Sequence, residues 1–192
     1  REVADKIKVL LDYAEPNPYA YSYNAACTAF ARGESAMYPI GSYAVPQILS
    51  VNPDMNIDSF PFPANENEAD NVLNSGIDLQ FSVMKESKNK EAAYEVLRFL
   101  LEDETVQIYL DDQGGIPCKE GEFSLPSFLN GMEQYIKDNR MADYHDHHYP
   151  SEMSVDALIQ TYLIDSSANS AETFLDRFHN ECVRYNRDLS TS

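Results

Sequence analysis

The sequence contains no tryptophan and only three cysteines in 192 residues. Cys27, Cys118 and Cys182 lie far apart, so they form neither a CxxC pair nor the Cys/His spacing of a zinc site. Their odd number leaves at least one cysteine unpaired, and apolar neighbours predict that all three are buried thiols. Cysteine usage therefore does not indicate whether the protein resides in an oxidising or a reducing compartment. The disulfide state of the three cysteines stays open.

Positive charge is scarce: 14 Lys and Arg stand against 32 Asp and Glu, which gives a formal net charge of -18. Phosphate contacts dominate affinity for nucleic acids, so this chain would be repelled by DNA and RNA. Anionic lipid head groups would repel it as well. We therefore expect no nucleic-acid partner, whereas a neutral or cationic small ligand remains compatible with the charge.

Long hydrophobic runs and enzyme motifs are also missing from the sequence. No run approaches the roughly 18 apolar residues of a membrane span, and no basic segment followed by an apolar one marks a signal peptide. The first residues resemble the middle of a helix, so we expect a fragment or a processed chain. A G-x-S-x-G elbow, a phosphate loop and a dinucleotide fingerprint are all missing. These observations predict a protein that is not an enzyme and needs no cofactor.

Hydrophobic residues make up 43% of the sequence, which indicates a folded protein, and 13 tyrosines dominate its aromatic content. The spacing of apolar residues predicts a first helix that ends near Tyr13. A second helix should begin with Asn24 as its N-cap and end before Gly33. A brief helix, with Pro46 in its first turn, should run to about Ser50.

Three short segments are predicted to be β-strands: Ser35–Ile40, Ile57–Phe60 and Ile77–Met84. The last of them alternates apolar and polar residues, which is the pattern of a half-buried strand. Helical periods then begin at Asn89 and Asp103, and a final helix should follow Ser170 as its cap. The sequence therefore predicts an α/β protein that is helix-rich, with a few short strands and a helical carboxy-terminal tail. Residues 1–84 should be mixed α/β, and residues 85–192 mainly helical.

Several motifs occur in the order that one protein family would have them. They include F-x-x-G-x-x-A-M followed by G-x-aromatic, x-P-x-P, S-K-N-K-E-A-A and G-G-I-P. In this sequence they occupy Phe30–Met37, Gly41–Tyr43, Phe60–Pro63, Ser87–Ala93 and Gly114–Pro117, and Gly76–Met84 is similar to the strand that returns through that family's hinge region. The chain thus resembles the carboxy-terminal half of extracellular solute-binding proteins of carbohydrate ABC transporters, of the maltose-binding-protein type (family 1).

This resemblance implies a periplasmic-binding-protein-like (type II) lobe fragment from a two-lobed protein whose lobes share elements. Residues 1–192 would form the carboxy-terminal part, with the signal peptide or lipoprotein anchor and most of the first lobe upstream. The implied function is extracytoplasmic: a monomer captures a mono- or oligosaccharide by hinge closure and delivers it to the permease. Tyr43 stands where the family often has Trp, and Ser75 precedes a single glycine where the family often has two.

A sugar-binding site needs an aromatic ring for the C–H face of the sugar and polar groups for its hydroxyls. Tyr43 is the candidate ring, although it could be an ordinary core or rim tyrosine. Gly41 and Ser42 would let the backbone approach the ligand, or they form a tight turn and nothing more.

Four further residues complete the predicted ligand site: Gly76, Asp78, Glu152 and Asp156. Asp78, on the alternating strand with Gly76, could accept two sugar hydroxyls, or it is a solvated carboxylate. Glu152 and Asp156 fall near the family's late cleft residues by rough alignment, but acids in a first helical turn also complement the helix dipole.

Two other function classes compete with the receptor. His145, His147 and His148 lie among carboxylates and could bind zinc or copper in a metal-binding module or a metal-dependent enzyme. Adjacent histidines do not easily converge on one ion, so a surface loop is the alternative reading of this segment. The third class is a helical interaction domain that binds no small ligand.

Overall fold

The computed structural model describes residues 2–77, 79–150, 152–164 and 170–189. Within these residues the fold is helix-rich, as expected from the sequence, and it has two short strands. The helices are α1 Glu2–Leu11, α2 Tyr23–Ala31, α3 Val45–Val51, α4 Lys90–Leu100, α5 Asp103–Gln113, α6 Glu133–Lys137, α7 Val155–Ile164 and α8 Ala171–Leu189, and the strands are β1 Leu73–Asn74 and β2 Met141–Ala142.

The chain forms two compact units. Residues 21–143 form one, which we call the central unit, and residues 1–20 together with 144–192 form the other, the terminal unit. The terminal unit is therefore assembled from both ends of the chain. The expected division into a mixed α/β segment, 1–84, and a mainly helical segment, 85–192, was based on secondary-structure content and not on compact units. It stays a prediction.

In the central unit, α2 and α3 pack around a small core of Cys27, Ala31, Ala44 and Ile48. The N-cap of α2 is Ser22, whose Oγ accepts a hydrogen bond of 3.3 Å from the Ala25 backbone N–H. The prediction of Asn24 as the cap is therefore wrong. Asn24 lies inside the first turn of α2, and the free amide of that turn is satisfied by the Ser22 hydroxyl.

The two strands of the central unit pair in parallel, with Leu73 opposite Met141 and Asn74 opposite Ala142. The Leu73 N–H donates to the Arg140 carbonyl at 2.9 Å, and Leu73 is buried. This pairing joins segments that are distant in sequence, and the local pattern did not predict it.

The three predicted strands are wrong. Residues 35–40, 57–60 and the described part of 77–84 form no strand, and large side chains such as Met37, Phe60 and Phe81 are exposed there. An alternating pattern makes a strand only where a neighbouring strand supplies hydrogen bonds and covers the apolar face. The described residues supply no such neighbour to these segments.

Most helix predictions are confirmed. The first helix ends at Leu11, close to Tyr13, and α5 stops at Gly114, which takes a left-handed conformation at φ 66°. Ser170 caps α8, since its Oγ accepts from the Thr173 N–H at 3.1 Å. Pro46 lies in the first turn of α3, where a proline is tolerated.

The core of the terminal unit forms around Tyr162, which packs with Ala4 and Ala171. The Tyr162 hydroxyl donates to the Ala4 carbonyl at 3.1 Å, and the Phe174 ring lies 4.9 Å from the Tyr162 ring. The Lys8 ammonium lies 4.5 Å above the same tyrosine ring. These contacts fasten α1 to α7 and α8.

All three cysteines are free thiols. Cys27 is buried and Cys182 is partly buried, but Cys118 is exposed. The expectation that all three are buried is therefore wrong for Cys118. It follows the extended segment after α5, in which the apolar residues Ile116 and Pro117 are themselves only partly buried.

Candidate functional site

A turn at the start of α3 carries the predicted sugar-binding ring. Gly41 caps a single turn of 3-10 helix, Ser42–Ala44, which continues into α3. The Ala44 N–H donates to the Gly41 carbonyl at 3.0 Å and closes the turn. Ala44 is fully buried, whereas the side chain of its neighbour Tyr43 is 55% exposed. The turn therefore presents the Tyr43 ring to solvent on a buried base.

Gly41 lies in close contact with the ring of Tyr43. A Cβ atom built on Gly41 would lie 2.6 Å from Tyr43 Cδ1 and 3.2 Å from Cζ. The backbone of Gly41 has an ordinary φ of -73°, which any residue could adopt. The glycine is thus explained by the close approach of the tyrosine ring and not by its backbone conformation.

Tyr23, at the first position of α2, is the ring next to Tyr43. The two ring centroids are 6.3 Å apart and the planes are inclined by 30°. Tyr23 is 44% exposed, so both rings of this tyrosine pair are open to solvent on one side. Sequence reasoning missed Tyr23 as a site residue; the one signal for it was the run of tyrosines before α2.

The tyrosine pair rests on a second layer of aromatic and sulfur groups. Cys27, one turn after Tyr23 on α2, has no exposed surface. Tyr38 packs against the same core, with its ring 5.8 Å from the Phe30 ring. Burial, together with the Cys27 thiol, raises the pKa of Tyr38 to about 12.

The pKa of Tyr23 is raised as well, by burial first and then by the Cys27 thiol and the Tyr43 phenol. A pKa above the usual value of 10 keeps a phenol protonated at neutral pH. Tyr23 and Tyr38 are therefore uncharged groups that can both donate and accept hydrogen bonds.

The carboxy-terminal end of α5 lies beside the Ser42–Ala44 turn. Gly114 lies against the Phe128 ring, and a Cβ atom on Gly114 would be 2.6 Å from Phe128 Cζ and 3.7 Å from the Ser42 carbonyl oxygen. Because Gly114 also has a positive φ, this corner accepts glycine far better than any other residue. The glycine that stops α5 thus lets the helix end approach the Phe128 ring, and the Ser42 carbonyl lies at an ordinary contact distance beside it.

A shallow groove runs along α2 in the central unit. It combines a tyrosine, an amide, a hydroxyl and two charged side chains with a floor of small residues. The groove is lined by Tyr21, Asn24, Ala25, Thr28, Ala29, Arg32 and Glu34. It provides hydrogen-bonding groups on the same helix that carries Tyr23.

The other predicted ligand residues lie elsewhere or outside the description. Gly76 is a partly buried loop residue that follows β1 in the central unit, and Asp78 lies outside the described residues. Glu152 and Asp156 are exposed and belong to the terminal unit. The structure therefore groups Gly41, Ser42 and Tyr43 in one turn, with Gly76 elsewhere in the same unit.

Asp156 has a local role at the start of α7. The Ser154 hydroxyl donates to Asp156 Oδ1 at 2.7 Å. This bond, and a second one from the Ala157 backbone N–H, lower the pKa of Asp156 below its usual 3.8. Asp156 is consequently ionised at neutral pH and stabilises the first turn of the helix.

The histidine segment forms a single exposed 3-10 turn, His145–His148. The His147 ring meets the Tyr144 ring edge-on, with 5.4 Å between centroids. Among the described residues, no group of three or more His, Cys, Asp or Glu side chains could hold a metal ion. The metal hypothesis for His145, His147 and His148 thus gains no support.

Across residues 2–77, 79–150, 152–164 and 170–189, no helix combines the length and the apolar character that a membrane crossing requires.

Comparison with known proteins agrees with the motif order. A family model for bacterial extracellular solute-binding proteins matches residues 2–107, which is more than half of the chain and includes the Gly41–Tyr43 turn. The chain is also similar to a "Multiple sugar-binding protein" of Streptococcus mutans serotype c (strain ATCC 700610 / UA159). The two are 26% identical over 163 residues, which is 83% of this chain and 38% of that relative, so the chain spans well under two thirds of the relative's length. These findings confirm the resemblance seen in the motifs, and the chain belongs to the family of bacterial extracellular solute-binding proteins.

Proposed function

We propose that this chain is the carboxy-terminal, ligand-binding part of the solute receptor of an ABC importer, and that its ligand is a neutral mono- or oligosaccharide. One observation carries the proposal. Two exposed tyrosine rings, Tyr43 and Tyr23, lie 6.3 Å apart on a buried base in a member of a solute-binding family. The similarity to a protein named for binding several sugars favours a carbohydrate over other solutes.

The chemistry of the tyrosine pair suits an uncharged sugar. The C–H faces of a pyranose are weakly apolar and stack on aromatic rings, while the phenol oxygens can bond sugar hydroxyls. A phenol with the usual pKa of 10 is already protonated at neutral pH, and the upward shift of the Tyr23 pKa preserves that state, so the hydroxyl offers no charge to an ionic solute. Each stacked ring should contribute about 0.5–1.5 kcal/mol to binding.

Further contacts in the whole receptor would come from the remaining candidates. Asp78 would accept sugar hydroxyls beside Gly76, and Glu152 and Asp156 are further candidates to accept them. Asp156 would do so beside the hydrogen bond that its Oδ1 already accepts from the Ser154 hydroxyl. These four assignments rest on the family resemblance and on residue chemistry.

In the complete receptor, the sugar would bridge two lobes, and this chain would supply a type II lobe fragment of the periplasmic-binding-protein kind. The ligand favours the closed form by binding it more tightly, and the closed receptor docks on the permease. The receptor would act as an extracytoplasmic monomer, and no covalent chemistry would take place.

The proposal is tested by sugar binding to this chain and to two variants. Saturation-transfer difference NMR should detect glucose, maltose, sucrose or lactose at millimolar concentration, because one lobe alone offers few contacts. Tyr43→Ala should lower the affinity for sugar by roughly two- to tenfold, which corresponds to the loss of one stacked ring. Tyr94→Ala is the matched control, since Tyr94 is an exposed ring on α4 of the same unit. Binding that is insensitive to Tyr43→Ala, or no binding of any of the four sugars, contradicts the proposal.

A further inference from the structure

Helix α4 has an apolar face that is wider than the surface it covers. Ala93, Leu97 and Leu100 recur at helical spacing and are partly buried, and α4 contacts α5 in the central unit. Val96 and Phe99 continue the same apolar face, yet they are 58% and 57% exposed. No residue of α4 is buried. The helix therefore carries more apolar surface than its packing against α5 uses.

The exposed part of that face is a continuous stripe. Ala92, Val96 and Phe99 follow one another at steps of four and three residues, so their side chains line one side of the helix. We call these three residues the α4 stripe. Glu95 and Arg98, which form an ion pair with each other, lie on the polar side next to it. In amphipathic helices the apolar side packs against other protein, while the charged side faces water. An uncovered stripe of this kind indicates a surface that packs against further protein.

A second uncovered apolar feature precedes α4. Ile77, Leu79 and Phe81 occupy alternate positions of the alternating segment 77–84, and they are 63%, 55% and 59% exposed. Alternation of this kind is typical of a strand with one apolar face, but the described residues supply no strand to pair with it. The segment thus requires a partner for its apolar face, independently of the α4 stripe.

We propose that the α4 stripe and the alternating segment 77–84 form the surface on which the rest of the receptor's own chain packs. The inference rests on the proposed function, in which this chain is one part of a longer solute receptor. The relative that matches 83% of this chain has only 38% of its own length in the match. A protein of that length has ample further chain to cover both features.

The chemistry of the two features favours a permanent contact within one receptor over the docking of a separate protein. Surfaces that bind and release a partner are about as polar as the rest of a protein surface, whereas permanent interfaces resemble a domain core. The α4 stripe contains only Ala, Val and Phe side chains. A second copy of this chain would in addition meet strong repulsion, because each copy has a net charge of -18.

Hydroxyl-radical footprinting tests the inference without any substitution. The oxidation rates of Phe81 and Phe99 are measured by mass spectrometry in this chain and in the whole receptor expressed from its gene. Both rates should fall severalfold in the whole receptor, because radicals formed in water reach covered side chains slowly. Tyr94 is the internal control: it lies on α4 outside the stripe, is 41% exposed, and should react at a similar rate in both proteins. Unchanged rates of the two phenylalanines would overturn the inference.

A charge placed in the stripe provides a second test. In the whole receptor, Val96→Glu should lower the Tm by roughly 5 °C or more, since an unpaired carboxylate would be buried there. In this chain by itself, where Val96 is 58% exposed, the same substitution should shift the Tm by less than about 2 °C. Tyr94→Glu introduces the same charge outside the stripe and is the matched control. Equal Tm shifts of the two variants in the whole receptor would contradict the inference.

Two further measurements separate the other outcomes. The whole receptor should sediment as a monomer; a dimer that dissociates in Val96→Glu would show that a second copy covers the stripe, and the inference would be wrong. Titration of the whole receptor with the four sugars reports on the proposed function separately. A receptor that binds sugar but leaves Phe99 as reactive as it is in this chain refutes the packing surface alone. A receptor that protects Phe99 but binds none of the sugars refutes the sugar-binding function alone.

Discussion

The ring of Tyr43 occupies the space above Gly41 in which any other residue would carry its Cβ atom. The sequence pattern G-x-aromatic thus has a steric cause, because a glycine leaves free the space that the aromatic ring occupies. A ring that lies against its own backbone has few orientations, which is the condition for a defined stacking surface. The two positions should consequently be coupled in any binding experiment.

Gly41→Ala is expected to weaken sugar binding by displacing the Tyr43 ring. The added methyl would meet Cδ1 at 2.6 Å, so the ring must turn away, whereas the backbone φ of -73° permits alanine. Affinity for the four sugars should fall by about two- to tenfold, the same loss that is expected for Tyr43→Ala. The matched control is Gly115→Ala, whose methyl group would meet its nearest atom, Leu110 Cδ2, at an ordinary 3.6 Å. Equal affinities of the two variants would show that the ring position does not matter.

Arg140 fastens two distant segments of the central unit, and its removal should destabilise the fold. Its guanidinium donates to the backbone carbonyls of Glu68 and Asn71 at 2.5 and 2.7 Å, and it lies 4.3 Å above the Tyr135 ring. Arg140→Met keeps the apolar stem but leaves both carbonyls without this donor, which should cost roughly 1–3 kcal/mol of unfolding free energy.

The control for Arg140 is Arg98→Met. Arg98 forms an exposed ion pair with Glu95 on the surface of α4, and such pairs contribute at most about 1 kcal/mol. Urea unfolding followed by circular dichroism measures both variants. A loss at Arg140 no larger than the loss at Arg98 would mean that the contact between these segments adds nothing to stability.

The helices could be predicted from the sequence because their signals are local. The period of α5 and the glycine that ends it, Gly114, lie within a dozen residues of one another. Strands need a partner, and the partner of Leu73 is Met141, which no local pattern identifies. The alternating segment 77–84 has a clear strand pattern but gains no partner among the described residues, so the prediction was wrong.

The candidate site was predicted in part, for the same reason. Tyr43 follows a motif whose spacing is visible in the chain, so it could be named from the sequence. Tyr23 could not, because its role depends on a ring 20 positions later being 6.3 Å away. Cys27 and Cys118 both have apolar neighbours in the sequence, yet one is buried and the other exposed. Burial depends on which segments pack together, and composition does not contain that information.

Asp156 is expected to titrate below its usual value of 3.8, and Ser154 should be the main cause. Because the folded-state pKa is lowered, the contribution of Asp156 to stability is present above about pH 3.8 and is lost as the pH falls through the folded value. In Ser154→Ala the pKa should rise toward 3.8, since the bond of 2.7 Å from the hydroxyl is lost.

The measurement is the ¹³Cγ shift of Asp156 as a function of pH. Ser50→Ala removes a hydroxyl on α3 of the other unit and should leave the titration unchanged. An identical Asp156 pKa in the unsubstituted protein and in Ser154→Ala would refute this assignment.

Tyr162→Phe should destabilise the terminal unit by about 0.5–1.5 kcal/mol, the usual value of one hydrogen bond. The Tyr162 ring is 2% exposed, and its hydroxyl reaches the Ala4 carbonyl across 158 positions of sequence. The substitution removes that bond and keeps the ring, so packing against Phe174 is preserved. Tyr13→Phe is the control, because Tyr13 is 87% exposed.

Since the bond joins α1 to α7, hydrogen exchange of the α1 amides should also accelerate in Tyr162→Phe. If unfolding free energy and exchange were equal in both variants, the terminal unit would not depend on this link between the two ends of the chain.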